Sequence, residues 1–303
     1  MLYSIVVPVY RSNTTLMPLA DRVAAVFQEI KEAYEIVFVE DCGGGNSWEV
    51  LRTIKEKYKD KITIIKLSKN VGQHNAIMCG FNHVKGDYVV TIDDDLQCPP
   101  EEIKKLIVEA KNTNAELVYG IYVNKKHHVI RNYASNWVKY IFKIVFDAKP
   151  DGSSFRLLKR TLVDKLLRHT QPFVFIDGLL HWHTKQISYC VVEHLERQHG
   201  SSTYTISKLI NLTSNLIFNF TVLPLRGITY IGTLTSLVSF FIGFYFIYNK
   251  FVHDVPIGYT SLVVTILFST GLILISLGII GEYLSRIYML QNNKPQYSIE
   301  VIE

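Results

Sequence analysis

Up to about residue 205 the chain alternates short, almost wholly apolar runs with stretches in which apolar positions recur every three or four residues. The runs YSIVVPVY, EIVFVE, ITIIKL, DYVVTID and ELVYGIYV are rich in β-branched and aromatic residues, the pattern of strands buried on both faces. Between them, the stretches at about residues 15–33, 47–59, 73–84 and 100–112 are amphipathic and predict helices. This βαβ alternation predicts an α/β domain built on a doubly wound, mostly parallel sheet.

Beyond residue 205 charges become scarce. Two uncharged stretches, Gly227 to Tyr248 and Val255 to Gly281, each reach the roughly 20 residues that a helix needs to cross a bilayer core. A pair of buried core helices is the alternative, but such helices seldom run beyond ~14 uncharged residues. The short link NKFVHD between them predicts a transmembrane hairpin over 227–281, with spans at about 227–249 and 255–281 and both outer ends on one side. Arg226, Arg286 and Lys294 flank those ends, whereas the link has Lys250 beside Asp254, so the positive-inside tendency places residues 1–205 and a tail at 282–303 in the cytoplasm. Residues 206–226 read as an amphipathic helix lying in the membrane interface, with a second such candidate at 132–146, and an ordinary helix packed on the domain fits either segment equally well.

Composition agrees with this division. A length of 303 residues at 48% hydrophobic content suits one globular domain of about 200 residues plus a membrane part. The net charge of +5 is modest, and no basic and aromatic tract points to nucleic acid. Cys42, Cys79, Cys98 and Cys190 show neither zinc-ligand spacing nor a paired framework, which suits a reducing compartment. The opening MLYSIVVPVY lacks the basic leader of a signal peptide.

The candidate chemistry lies where strands end. VTIDDDLQCPPEE, residues 90–102, sets Asp93, Asp94 and Asp95 in a row at the end of the fourth strand-like run. In sheets of this kind ligands bind in the crevice beyond the carboxyl ends of the strands. With alternate side chains sharing a face, Asp93 and Asp95 are expected to point together and Asp94 away. Two carboxylates held close repel unless a cation lies between them. A hard divalent ion, Mg²⁺ or Mn²⁺, suits that place, with Gln97 as a neutral oxygen beside it, and such ions also take phosphate oxygens from a substrate. A solvated acidic turn ahead of a helix begun at Pro99 and Pro100 fits the same residues.

The second strand end carries VEDCGGGNSWEVL. Glu40 and Asp41 there are expected to accept hydrogen bonds from a nucleoside, three glycines permit a tight turn, and Asn46 with Glu49 resembles a capping box. A plain Gly-rich turn is the other reading. At the first strand end Pro8 and Tyr10 are expected to pack against a base and Arg11 to meet phosphate. His181 and His183 lack a matching acidic or Cys ligand and are expected to be structural.

Taken together, PVY, VED, KNVGQHNAIMCGFNHVKGDYVVTIDDDLQCPPEE and ERQHGSSTY resemble glycosyltransferase family 2 with the GT-A fold, in the branch that loads sugars onto polyprenyl phosphates. Undecaprenyl-phosphate aminoarabinose transferases are similar in GQHNAIMCGF and in the terminal LGIIGEYLSRIY and NKPQY, and bactoprenol glucosyltransferases and dolichyl-phosphate mannose synthases belong to the same branch. The resemblance spans essentially the whole chain. It implies a metal and diphosphate motif on Asp93, Asp95 and Gln97, and nucleotide-sugar contacts from Pro8, Tyr10, Glu40, Asp41, Asn70, Asp93 and Asp94. It further implies an acceptor-loop arginine at Arg131, with Arg156, Arg197, Ser202 and Tyr204 near the acceptor phosphate. The usual Asp-Asp-Gly-Ser reads Glu-Asp-Cys-Gly here, and Gly45 replaces a later Asp.

A sugar 1-diphosphate donor needs its leaving diphosphate neutralised, and an anionic polyprenyl phosphate needs positive charge and alignment for in-line attack. Arg131 and Arg197 are the candidates for that charge. The resemblance implies an inverting, metal-dependent transferase of class EC 2.4, using a nucleotide-sugar, by resemblance UDP-linked, and a polyprenyl phosphate at the inner membrane, as a homo-oligomer. Two alternatives compete with it. A processive polysaccharide synthase would carry a Gln-x-x-Arg-Trp motif and more spans, and neither is found. A non-catalytic nucleotide sensor or assembly protein would explain the departures at Glu40 and Gly45, but not the intact Asp93-x-Asp95.

Overall fold

Every residue of β1 (Leu2–Val9) after Leu2 is buried, and the strand lies at the centre of an eight-stranded sheet. The computed structural model describes residues 1–122, 153–195, 218, 221–252, 258–292 and 294–303. The chain divides into two compact units, Met1–Thr205 with Asn293–Glu303, and Ile206–Asn292.

In the first unit the five predicted strands all form: β1, β2 (Ala33–Glu40), β3 (Ile62–Leu67), β4 (Tyr88–Thr91) and β5 (Leu117–Ile121). So do the four predicted helices, α1 (Leu16–Ile30), α2 (Ser47–Tyr58), α3 (Gln73–Phe81) and α4 (Ile103–Thr113). A 3-10 turn at Pro100–Glu102, with proline in its first turn, leads into α4. The remaining elements are β6 (Arg156–Lys159), α5 (Arg160–Leu166), α6 (Ile176–His183), β7 (Ile187–Val191) and β8 (Ile299–Ile302).

The strand order is β7-β5-β6-β4-β1-β2-β3-β8. The centre, β4-β1-β2-β3, is parallel, as alternation with helices requires. The sheet as a whole is mixed, because β6 runs antiparallel to both β4 and β5, and β8 antiparallel to β3. Both added strands span only four residues, too short for a period-two pattern to mark them. The antiparallel direction of β6 sets Arg156 opposite Thr91, so the chain entering β6 runs alongside the residues that leave β4.

The core between sheet and helices is apolar. Tyr3 packs against Phe27 and Tyr88, and Phe27 against Tyr34, with ring centroids 5.2–5.6 Å apart.

In the second unit, α7 (Leu223–Val252) and α8 (Tyr259–Gln291) are apolar over most of their length, with charges only near their outer ends and at Lys250. Windows of 20 and 24 residues, Leu223–Ile242 and Phe268–Gln291, have mean hydropathies of 1.4 and 1.5 and, among the described residues, bury none. Both are long and apolar enough to cross a membrane. The Tyr283 hydroxyl donates to the Thr221 carbonyl at 2.9 Å, bringing the end of α8 back to the start of α7 as an antiparallel hairpin does. α7 runs on to Val252 and α8 to Gln291, so the helices are longer than the expected spans. The expected tail at 282–303 is in fact the last turns of α8 followed by a strand of the first unit's sheet. Both candidate interfacial helices, at 132–146 and for the most part 206–226, lie outside the described residues.

Candidate active site

Three chain segments converge beyond the carboxyl ends of β1, β2 and β4. The acidic run follows β4 directly, in a turn rather than in the strand itself. Its three carboxylates have different partners. Asp94 turns back to the end of β1, where the Tyr10 N–H donates to its Oδ2 at 3.2 Å and Ser12 also hydrogen-bonds to it. Asp95 accepts the Gln97 N–H at 3.1 Å, closing its own turn, in which Leu96 adopts φ 57°. Asp93 accepts from two side chains: the Gln73 amide at 2.6 Å on Oδ1 and the Ser154 hydroxyl at 2.6 Å on Oδ2. The three neighbouring carboxylates are thus held by different partners.

Burial pushes the Asp94 carboxyl up to about 6, with Asp93 and Asp95 adding repulsion and the Ser12 and Tyr10 donors opposing it. Among the described residues no three of His, Cys, Asp and Glu cluster as a metal cage. The oxygens of Asp93 and Asp95 are hard donors. They fit Mg²⁺ or Mn²⁺ in the mode where one or two carboxylates suffice because substrate phosphates and water complete the sphere.

At the end of β2, Glu40 and Asp41 are both buried, at 4% and 3% exposure. Glu40 accepts the Gly43 N–H at 2.8 Å. Asp41 accepts the N–H groups of Val71 and Gly72 at 2.7 and 2.9 Å, one on each oxygen, and its carbonyl accepts the Asn70 side chain at 3.1 Å. Besides the nucleoside contact expected of it, this carboxylate braces the entry to α3, where Gly72 takes φ 85°, a left-handed value that glycine adopts without strain. Burial raises its pKa against the pull of those two amides. Gly44 and Gly45, at φ 69° and 82°, make the tight turn expected there. The expected capping box does not form, since the Asn46 side chain makes no cap hydrogen bond.

Pro8 is buried in β1 opposite Val39, which removes it from the surface expected to meet a base. Tyr10 remains exposed, at 47%, with the Arg11 guanidinium 5.1 Å from its ring. Arg11 also donates from Nε to the Gly43 carbonyl at 3.0 Å, joining the first and second strand ends.

Arg156, expected near the acceptor phosphate, is 1% exposed. Its guanidinium pairs with Asp177 and donates from Nε to Thr91 Oγ1 at 3.2 Å. Tyr119 donates its hydroxyl to the same Asp177 at 2.9 Å and lies under the guanidinium. A phosphate has no access to a group so enclosed, and the charge instead sits behind the acidic run. Arg131, Arg197, Ser202 and Tyr204 lie outside the described residues.

Four contributors escaped the sequence reading. Gln73 and Ser154 hold Asp93, and Asp177, in the first turn of α6, holds Arg156. His74 packs edge-on against Phe175 at 5.2 Å, and burial depresses its pKa to about 4. Gln73 and His74 stand inside the GQHNA run, a visible signal; Ser154 becomes legible only once β6 is known to run antiparallel beside β4. His181 stacks on Tyr119, a packing role, as its sequence context suggested.

The comparisons with known proteins agree with this geometry. Residues 4–167 match the model of glycosyl transferase family 2. The chain is 32% identical, over 98% of its length and 93% of the relative's, to undecaprenyl-phosphate 4-deoxy-4-formamido-L-arabinose transferase of Edwardsiella ictaluri. It is 33% identical, over 99% and 93%, to the protein of the same name from Sodalis glossinidius. Among solved structures, glucosyl-3-phosphoglycerate synthase from Mycobacterium tuberculosis, in complex with phosphoglyceric acid, superposes with a TM-score of 0.51 at 13% identity, covering 71% of this chain and 77% of that one, a likeness of fold.

Proposed function

Since this chain belongs to glycosyltransferase family 2, we propose that it is a membrane-anchored enzyme moving one sugar from a nucleotide-sugar to undecaprenyl phosphate. The observation that carries this reading is the extent of the likeness: 31–33% identity to transferases of that acceptor over nearly the whole chain, apolar helices included. A likeness confined to residues 4–167 would have spoken for the donor half alone.

The roles follow from chemistry. Asp95 and Asp93 would hold a divalent ion, with Gln97 beside them, and that ion supplies Lewis-acid neutralisation of the leaving diphosphate. The chain's own groups do the remainder. Gln73 and Ser154 fix the direction of Asp93 before substrate arrives, so no reorganisation is needed at that carboxylate. Tyr10 offers an exposed ring to the nucleoside, for which UDP is the reading by family resemblance, with Asn70 and the acidic Glu40 as further contacts. Arg131, Arg197, Ser202 and Tyr204 are assigned to the acceptor phosphate, whose oxygen attacks the anomeric carbon in line and inverts it. The domain faces the cytoplasm, with both ends of the hairpin on that side. That the chain returns from α8 to pair with β3 supports both ends lying on one side, since it joins them to one unit, and the flanking Arg226, Arg286 and Lys294 favour the cytoplasmic side.

The test is direct. Detergent-solubilised protein is incubated with undecaprenyl phosphate, Mn²⁺ and a panel of UDP-, GDP- and dTDP-sugars, and the lipid fraction is weighed by mass spectrometry. A gain of one sugar from one donor establishes the reaction and names the substrate. Folded protein that binds nucleotide yet transfers none of the sugars, including 4-formamido-arabinose, overturns it.

A further inference from the structure

The last residues of the chain do more than add an edge to the sheet. In β8 and just beyond it, Glu303 and Ile64 exchange both backbone hydrogen bonds at 3.0 Å, and Lys66–Glu300 and Arg52–Glu303 form ion pairs at 2.8 and 2.6 Å. Ahead of the strand, two adjacent side chains reach elsewhere. The Tyr297 hydroxyl accepts the side-chain amide of Asn82, the residue that ends α3, at 2.6 Å. Gln296 donates its amide to two carbonyls at once, His169 at 2.7 Å and Gln171 at 2.9 Å.

Those carbonyls belong to the loop between α5 and α6. The loop continues through Phe173, whose carbonyl meets His169 Nε2 at 3.3 Å, to Phe175 against His74 and to Asp177 against Arg156. Gln296 therefore ties down the near end of a loop whose far end braces the candidate active site, while Tyr297 ties down the end of the helix whose first residue holds Asp93. Asn75 adds a longer bond to the Pro172 carbonyl, at 3.5 Å, so the two short Gln296 bonds are a main part of what holds the near end of the loop, and local opening there costs little beyond such bonds.

We propose that Gln296 is a positioning residue for the transfer reaction. Residues 294–303 form a strap that holds the 169–177 loop against the first turn of α3, so the support behind His74 and Arg156 is set by the segment that follows the second apolar helix. The kinetic part of this rests on the transferase reading; the structural part does not. Gln296→Glu keeps the shape but removes the N–H donors and faces two carbonyls with negative oxygens, whereas Gln296→Lys restores donors.

The experiment uses the full chain in detergent and measures amide hydrogen exchange together with transfer kinetics. Losing both bonds is expected to speed exchange at residues 169–178 by roughly tenfold or more in Gln296→Glu, with β3 unchanged. The same variant is expected to raise the donor KM more than it lowers kcat, and Gln296→Lys to recover most of both. Unchanged exchange at 169–178 overturns the proposal, and so does faster exchange spread evenly over β3 and α2, which marks a general stabilising role. Wild-type protein that transfers no sugar refutes the transferase reading and leaves the exchange result to decide the strap.

Discussion

Ser154 and Asp93 meet just beyond the antiparallel pair of β4 and β6, the Ser154 hydroxyl donating to Asp93 Oδ2 at 2.6 Å while Gln73 donates to Oδ1 at 2.6 Å. A carboxylate held on both oxygens has one orientation. Removing one donor by Ser154→Ala returns rotational freedom to Asp93 with no cavity of consequence. Transfer kcat/KM is expected to fall about tenfold, in line with one lost hydrogen bond to a charged group, while the unfolding temperature stays within a degree or two. Activity equal to wild type would show that Gln73 and the turn suffice to aim Asp93.

Arg156 and Asp177 make a different kind of pair, since Arg156 is 1% exposed and Asp177 21% by side chain. Breaking such a pair from one side leaves a charge without its partner, at a penalty of about 3–5 kcal/mol. Arg156→Met is expected to approach that range, and Asp177→Asn to do less damage because it keeps an acceptor for Tyr119. The double variant should lose clearly less than the sum of the two. Denaturant unfolding of the four proteins reads the cycle, and simple additivity would mean that the pair is not coupled.

Much of this arrangement is legible in the sequence. The continuous apolar runs declare β1 to β5, and the acidic run announces itself by falling at a strand end. What stayed hidden depends on partners distant in the chain. β6 and β8 have four residues each and no periodic signature, so neither the mixed sheet nor the closeness of Ser154 to Asp93 follows from pattern. Arg156 and Asp41 look in sequence like groups for a ligand. They are buried because Asp177 and the amides of Val71 and Gly72 satisfy them, and burial is a property of the fold.

His74 gives the protein a predictable acid response. Its folded pKa, about 4, lies below the ordinary 6.5, because burial disfavours the imidazolium. The unfolded state thus binds the proton more readily between those values. The contribution of His74 is fully present above pH 6.5 and is lost as pH falls toward 4, on the order of 3 kcal/mol across the window. His74→Gln is expected to flatten that part of the stability curve. An unaltered slope between pH 6.5 and 4 would place the acid sensitivity elsewhere.

Asp41 braces α3 through two amides, so Asp41→Ala should destabilise by about 1–2 kcal/mol, as loss of a charged cap does. The effect on transfer is expected to be larger than stability alone explains, because Gln73 begins the helix that Asp41 holds. Asp41→Asn retains an acceptor for one amide and should recover part of both. If the two variants lose activity equally at full stability, Asp41 has a direct part in binding the nucleotide and the bracing account is incomplete.

The sharpest division falls on the metal. Three adjacent carboxylates share this strand end, Asp93 and Asp95 repel the buried Asp94, and an ion shared with the donor's diphosphate would offset that repulsion. Because the described residues offer few ligands, the ion is expected to bind weakly alone and far more tightly with UDP present, which calorimetry with Mn²⁺, with and without UDP, measures. Asp95→Asn should abolish that linkage and lower transfer at least a hundredfold, on the order of the loss of one strong electrostatic contact, with the fold intact by its unfolding curve. Transfer that continues undiminished in excess EDTA would remove the ion from the mechanism. The acidic run would then be what its position also permits, a turn that starts α4 and orients the end of β1 through Asp94.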